Sequence, residues 1–257
     1  MENPGITHKR GVADTIKDWI AHNKQIWLAL YVPAYLAGFC LLQARQIPLR
    51  TVHFALDYSI PFCEYFIIPY CAWYFLLIGV GFYTLLKDKK SFVKYMLFMM
   101  IGYTACMLVY WVYPIAQDLR PAVFPRDNLC TELVGLIYSM DPPFNILPSM
   151  HVVGSFMCAA AITNCPTVKR TGSKVLISLL AAVISVSTVF VKQHSVLDTA
   201  AALALSIIIF FILYAPWKKE QRESISPSAR RGWLIGGVAG LAASVLCIKL
   251  TLENLPL

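Results

Sequence analysis

Three short stretches of this chain combine residue types that can hold and move a phosphoryl group. The first runs Ser187-Thr188-Val189-Phe190-Val191-Lys192-Gln193-His194-Ser195-Val196-Leu197-Asp198. His194 and Asp198 are spaced i, i+4, so in a helix they share a face. Asp198 can then keep one imidazole nitrogen protonated and leave the other as a nucleophile or base. An unpaired carboxylate at the start of an apolar run would be costly, which calls for such a partner. The plain alternative is a structural His–Asp pair. The second stretch is Asn145-Ile146-Leu147-Pro148-Ser149-Met150-His151. Pro148 suits a first helical turn. The free N–H groups that follow, with the positive end of the helix dipole behind them, make an anion site. Ser149 adds a hydroxyl donor, and His151 stands about one turn in. The plain alternative is a Pro-Ser helix start with an interfacial histidine. The third is Asp118-Leu119-Arg120-Pro121, where the Arg120 guanidinium fork can bind phosphate or simply snorkel to headgroups. Two histidines, an aspartate, an arginine, a lysine and a helix start suit phosphoryl transfer without metal or cofactor. Two histidines and an aspartate can also hold a metal ion.

These residues need elements to position them, and composition limits the choice. The chain has 257 residues, 58% hydrophobic and only 14% charged, with a mean hydropathy of +0.62. A soluble domain is about 45–50% apolar and about 25% charged. The contrast excludes a soluble globular protein and, equally, a disordered one. Seven apolar runs, 26–42, 65–86, 95–113, 148–165, 175–191, 196–217 and 233–250, approach or reach spanning length. In lipid each must be helical. The fold class predicted is all-α, a polytopic membrane bundle in a single domain over 1–257. Its six-helix core covers about 26–217, and 233–250 adds a seventh helix. The run 148–165 is the weakest, interrupted by Ser149, His151 and Ser155. Ahead of the first run, Ile16, Trp19 and Ile20 predict a short amphipathic lead-in lying on the membrane. The first run is expected to be retained, with no cleavage site after it.

The net charge is +8, and its distribution gives an orientation. With the N-terminus cytoplasmic, most Lys and Arg fall in the inner segments, among them Lys87, Lys89, Lys90, Lys94, Lys169, Arg170, Lys218 and Lys219. This satisfies the positive-inside rule and leaves no basic cluster for nucleic acid. All three chemical stretches then lie at the extracytoplasmic face. Cys63 and Cys130 fall in outer segments and could pair in an oxidising compartment. The mildly apolar segment 129–138 could cover the site or guide a lipid tail.

At Arg120-Pro121, Pro148-Ser149-Met150-His151 and Ser187-x6-His194-x3-Asp198 the chain resembles the phosphatidic acid phosphatase type 2 superfamily of membrane lipid phosphatases and phosphotransferases. The resemblance runs from the second and third helices to the sixth. It is similar to the branch containing inositol phosphorylceramide synthases over Asp57-Tyr58-Ser59-Ile60-Pro61-Phe62, Pro69-Tyr70, Trp73-Tyr74 and Thr188 to Asp198. Three positions depart from the family pattern. Tyr113 stands for a lysine, Thr188 for an arginine and Met150 for a glycine, with Lys192 one turn beyond Thr188 able to return a positive charge. The resemblance implies a metal-independent displacement in which His194 attacks phosphorus and Asp198 orients it. His151 serves the leaving oxygen and then the acceptor, while Arg120, Ser149 and Lys192 hold the phosphoryl oxygens. It implies a lipid phosphate or phospholipid as substrate and leaves water or an alcohol open as acceptor. A lipid transporter or scramblase is the competing class, although transport sites usually lie at the midplane rather than at one face.

Overall fold

The computed structural model describes residues 12–45, 50–52 and 54–215. The expected seventh helix at 233–250 lies outside these residues. Nine α-helices are described: α1 (Val12–His22), α2 (Tyr31–Gln43), α3 (Ala55–Ser59), α4 (Ile67–Lys87), α5 (Lys89–Val112), α6 (Leu129–Met140), α7 (Met150–Thr163), α8 (Thr171–Phe190) and α9 (Val196–Tyr214). Among the described residues five helical segments are long and apolar enough to cross a membrane: Lys24–Gln43, Glu64–Lys87, Lys89–Val112, Thr171–Phe190 and Val196–Tyr214. The first and second of these begin in 3-10 turns that lead into α2 and α4.

The fourth apolar run behaves differently from the rest. Its helix α7 has 14 residues, about 21 Å at 1.5 Å per residue, which falls short of a hydrocarbon core of about 30 Å. It is nonetheless the centre of the bundle. Its side chains are buried almost all round, against α4, α5, α8 and α9. A helix apolar on every side belongs in a core, and Ser149, His151 and Ser155 interrupt its hydropathy because they face protein. Small residues let neighbours close on it. At Gly102 of α5 an added Cβ would stand 2.7 Å from Val153 of α7. Around this axis Phe98, Tyr103, Val153, Met157, Cys158 and Ile184 form the main apolar core.

α2 is peripheral, with no buried residue. It leans on α5 through a hydrogen bond of 2.8 Å between the Tyr31 and Thr104 hydroxyls and an edge contact of 5.0 Å between Tyr35 and Tyr103. The expected amphipathic lead-in is α1. Two short strands, β1 (Arg50–Thr51) and β2 (Ile115–Ala116), pair in parallel and tie the segment before α3 to the end of α5. Cys63 and Cys130 are both free thiols.

Helix α6 arises from the segment expected only as a mildly apolar cover. Asn128 caps it, accepting from the N–H groups of Cys130 and Thr131, and Thr131 returns a bond to the cap. The carboxylate of Glu64, fully buried at the start of α4, receives Arg126 at 2.6 and 2.7 Å and Asn128 at 3.1 Å. That fork fixes the entry of α6 against α4.

Candidate functional site

The starts of α4, α7 and α9 and the ends of α2, α5 and α8 meet at one end of the bundle, where the three chemical stretches come together. His194 lies at the centre. Its Nε2 is 3.4 Å from Nδ1 of His151, and its Nδ1 is 3.5 Å from Oδ2 of Asp198. The second distance is ion-pair range and longer than a formed hydrogen bond. All three side chains are buried.

His194 and Asp198 do not meet along a helix face, contrary to the i, i+4 expectation. Residues 191–195 form a turn and α9 begins only at Val196. Ser195 is the N-cap and accepts from the Leu197 N–H at 2.9 Å. Asp198, three residues on, returns to the Ser195 N–H through Oδ2 at 2.8 Å. This capping box explains how a carboxylate sits at the head of an apolar run. It satisfies the helix start and faces His194 with the same oxygen.

The turn that carries His194 is held at nearly every backbone group. The Thr188 carbonyl accepts from the N–H groups of both Gln193 and His194, at 3.0 and 3.1 Å. Tyr138 of α6 donates to the Val191 carbonyl at 2.7 Å, and Gln117 to the Lys192 carbonyl at 2.7 Å. The Val196 N–H donates to the Asp57 carboxylate at 2.7 Å. Thr188, where the family pattern has arginine, thus serves the site with its backbone.

Lys192 is placed otherwise than its sequence position predicts. It adopts a left-handed backbone, with φ of 53°, and leaves the helical face it was expected to share with Thr188. Its buried ammonium donates to the carbonyls of Asp57 and Ile60 at 2.8 and 2.6 Å. It therefore fastens the α3 segment beneath the His194 turn. Burial lowers the Lys192 pKa and the Asp57 charge opposes that; burial raises the Asp57 carboxyl, opposed first by the Val196 N–H.

Arg120 does reach the site. Its guanidinium stacks over Tyr138 at 4.2 Å and donates to the Tyr138 and Asp141 carbonyls at 3.2 and 2.6 Å, closing the last turn of α6. It also donates to the Gln193 side chain, while its buried Nε has no partner among the described residues. Burial lowers its pKa, against the opposing pull of Tyr138 and Asp141.

Ser149 is the N-cap of α7, fully buried, with Oγ accepting from the Val152 N–H at 3.4 Å. Its O–H remains able to donate, because a hydroxyl both accepts and donates. Pro148 precedes the cap rather than opening the helix, and its carbonyl receives the Tyr110 hydroxyl at 2.6 Å. The backbone N–H of Ser149 donates to the Asp198 carbonyl at 3.2 Å, which locks the starts of α7 and α9 together. His151 lies between the rings of Tyr70 and Trp73, at 4.6 and 4.3 Å between centroids.

Asp141, at the end of α6, is a site residue that sequence reasoning missed. Burial raises its carboxyl pKa above the ordinary value, opposed in part by His194 and Arg120. Gln117, Tyr138 and Gln193 were missed as well. They are ordinary polar residues in loops and helix ends, and their only signal was proximity in sequence to the motifs. Among the described residues no three His, Cys, Asp or Glu side chains are grouped to ligate a metal. No protein-family model, curated protein or solved structure matches the chain.

Proposed function

We propose that this protein is a lipid phosphate phosphatase that works through a phosphohistidine, without a metal, at the extracytoplasmic face of the membrane. The observation that carries the reading is the buried line Asp198, His194, His151, with one imidazole nitrogen toward the carboxylate and the other toward the second imidazole. Asp198 keeps the proton of His194 on Nδ1, so Nε2 presents its lone pair. Nε2 attacks phosphorus, an N–P bond forms, and the P–O bond to the lipid breaks. His151, protonated once the anionic phosphate sits beside it, gives its proton to the leaving oxygen. It then takes a proton from water as that oxygen attacks phosphorus, and the N–P bond breaks to release phosphate. Ser149, the first N–H groups of α7 and the Nε of Arg120 stabilise the charge on the phosphoryl oxygens. Lys192 acts through the turn it fastens.

An attack distance of about 3–3.5 Å, the breaking P–O bond and a hydrogen bond of about 2.7 Å to the leaving oxygen together need about twice the present 3.4 Å separation of the imidazoles. The rings must part as the phosphoryl group enters between them. A second reading, transfer to an alcohol acceptor as in the inositol phosphorylceramide synthases, draws on Asp141. Its side chain, which accepts from Gln43 at 3.4 Å at the end of α6, can also accept from a hydroxyl-bearing acceptor.

Phosphate release by the purified chain in detergent with chelator tests the proposal, using phosphatidic acid, phosphatidylglycerol phosphate, isoprenyl phosphate and isoprenyl pyrophosphate. Release that His194→Ala lacks supports it. No release from any lipid, with transfer from a phospholipid to inositol or a lipid alcohol instead, favours the second reading. Lipid transport that survives in His194→Ala would put the chain among transporters.

A further inference from the structure

Directly below His151, three hydrogen-bond donors from three helices have no partner among the described residues: Nε1 of Trp73 on α4, the hydroxyl of Tyr103 on α5 and the hydroxyl of Ser155 on α7. All three residues are buried. Two of the donors point at one spot. A Cβ on Gly154 would lie 2.5 Å from the Tyr103 hydroxyl and 2.9 Å from Trp73 Nε1, so both atoms rest on a stretch of α7 that carries no side chain. Trp73 also packs on the His151 ring. Ser155 is four residues beyond His151, on the same face of α7.

Comparison within the same bundle shows that these donors are unusual. Thr84, Thr163, Ser178, Ser185 and Ser206 each donate to the carbonyl four residues back, the common solution for a hydroxyl in a buried helix. Ser155 does not. On α5, Tyr95 donates to Leu77 and Tyr110 to Pro148, whereas Tyr103, between them, does not. An unspent donor at this depth is costly. An indole N–H can only donate, so the group that completes the cluster must bring an acceptor.

The position says what kind of acceptor. The cluster lies about one helical turn, roughly 5 Å, from the leaving-group histidine, on the side toward which the chains of a membrane-embedded lipid run. In a glycerolipid phosphate the groups at that distance are the acyl-ester carbonyls. An isoprenyl chain has only hydrocarbon there. The Tyr103 ring is covered from one side by Tyr35 of α2, the helix that buries none of its residues, so the cluster is shielded on that side by a peripheral helix.

We propose, building on the lipid phosphatase reading, that Trp73, Tyr103 and Ser155 form an ester-carbonyl subsite that makes the enzyme select glycerolipid phosphates over isoprenyl phosphates. A site built to hydrogen-bond its substrate rejects an analogue that leaves its polar groups unpaired, by about 10⁴–10⁵ in the strongest cases.

The test compares kcat/KM for dioleoyl phosphatidic acid and for an isoprenyl phosphate in the purified full chain. Tyr103→Phe and Ser155→Ala change little volume, and thermal melting confirms that they fold. A preference for phosphatidic acid of about 10²-fold or more is expected, falling about tenfold in each variant. A ratio near one in the unmodified chain, or a ratio that neither variant alters, overturns the proposal and leaves the donors to internal water alone. The affinities of the two lipids for His194→Ala, measured by thermal shift, separate the subsite from the chemistry. If neither lipid is hydrolysed but the same preference appears in binding and is lost in the variants, the subsite stands and the phosphatase reading falls. Equal binding of the two lipids overturns the subsite whatever the reaction.

Discussion

Replacing Lys192 by methionine separates two roles that sequence and structure give the same residue. If its ammonium contacts phosphate, the change removes one oxyanion donor, costs about 10²–10³ in rate and leaves the fold intact. The structure spends it instead on the carbonyls of Asp57 and Ile60, at 2.8 and 2.6 Å. A hydrogen bond to a charged group contributes about 1.5–3 kcal/mol. Two such bonds contribute more, but burying the ammonium takes part of that back, which leaves a net of roughly 3 kcal/mol. For a chain of this size each kcal/mol moves Tm by about 2–4 °C, so Lys192→Met is expected to melt roughly 6–12 °C lower. The rate falls as well, because His194 lies two residues along the loosened turn and a displacement of about 1 Å can cost 10²-fold. That loss should appear in kcat rather than KM. Melting of the purified protein in detergent, beside steady-state kinetics, gives both numbers. A Tm within about 1 °C of the unmodified chain, together with a large loss in kcat/KM, would refute the fastening role and return Lys192 to the phosphate. Comparing Lys192→Gly with Lys192→Ala adds a check: both lose the ammonium, but only glycine relieves the positive φ, so the glycine variant should melt higher.

Three further outcomes follow from the geometry. Ser149→Ala loses the cap to Val152, about 1 kcal/mol, and, on the proposed reading, a phosphate donor, so Tm drops slightly and kcat/KM falls about 10²-fold, whereas His194→Ala leaves no turnover. Gly102→Ala sets a Cβ 2.7 Å from Val153, a β-branched side chain with one helical rotamer; overpacking of about 1–3 kcal/mol outweighs the helix-propensity gain of about 1 kcal/mol, and melting reads the net loss. Burial raises the Asp141 carboxyl above the ordinary value, so just above about pH 3.9 the folded chain holds more protons there than the unfolded one. The contribution of Asp141 is then full at low pH and declines as pH rises through its raised pKa. The Tm of the unmodified chain minus that of Asp141→Asn should therefore fall from pH 4 to pH 7, and a rising difference would contradict the sign.

The sequence makes the bundle legible because lipid admits few alternatives. Six of the seven apolar runs have a described helix at or near their place, and the seventh lies outside the described residues. Periodicity could not separate a helix that faces lipid from one enclosed by protein, so α7 read as a weak span when it is the axis of the core. The chemical residues were legible by type and order: His151, His194, Asp198, Arg120 and Ser149 do gather at one end of the bundle. What they touch was not legible. Whether Lys192 reaches a ligand or a carbonyl depends on a backbone angle at one residue, and no pattern of spacing encodes that. Gln117, Tyr138 and Asp141 were hidden for a related reason, since their partners lie tens of residues away and only the folded β2 segment and α6 bring them in.

The double duty of Asp198 limits how this site can change. Oδ2 holds the N–H of Ser195 at the α9 cap and faces the His194 imidazole at once, so a mutation there changes the helix start and the imidazole's partner together. On the proposed reading, an inactive form for binding or structural work is better made at His194, whose loss leaves the capping box standing. The start of α9 and the partner of the His194 imidazole are therefore coupled through one oxygen, and neither can be varied alone.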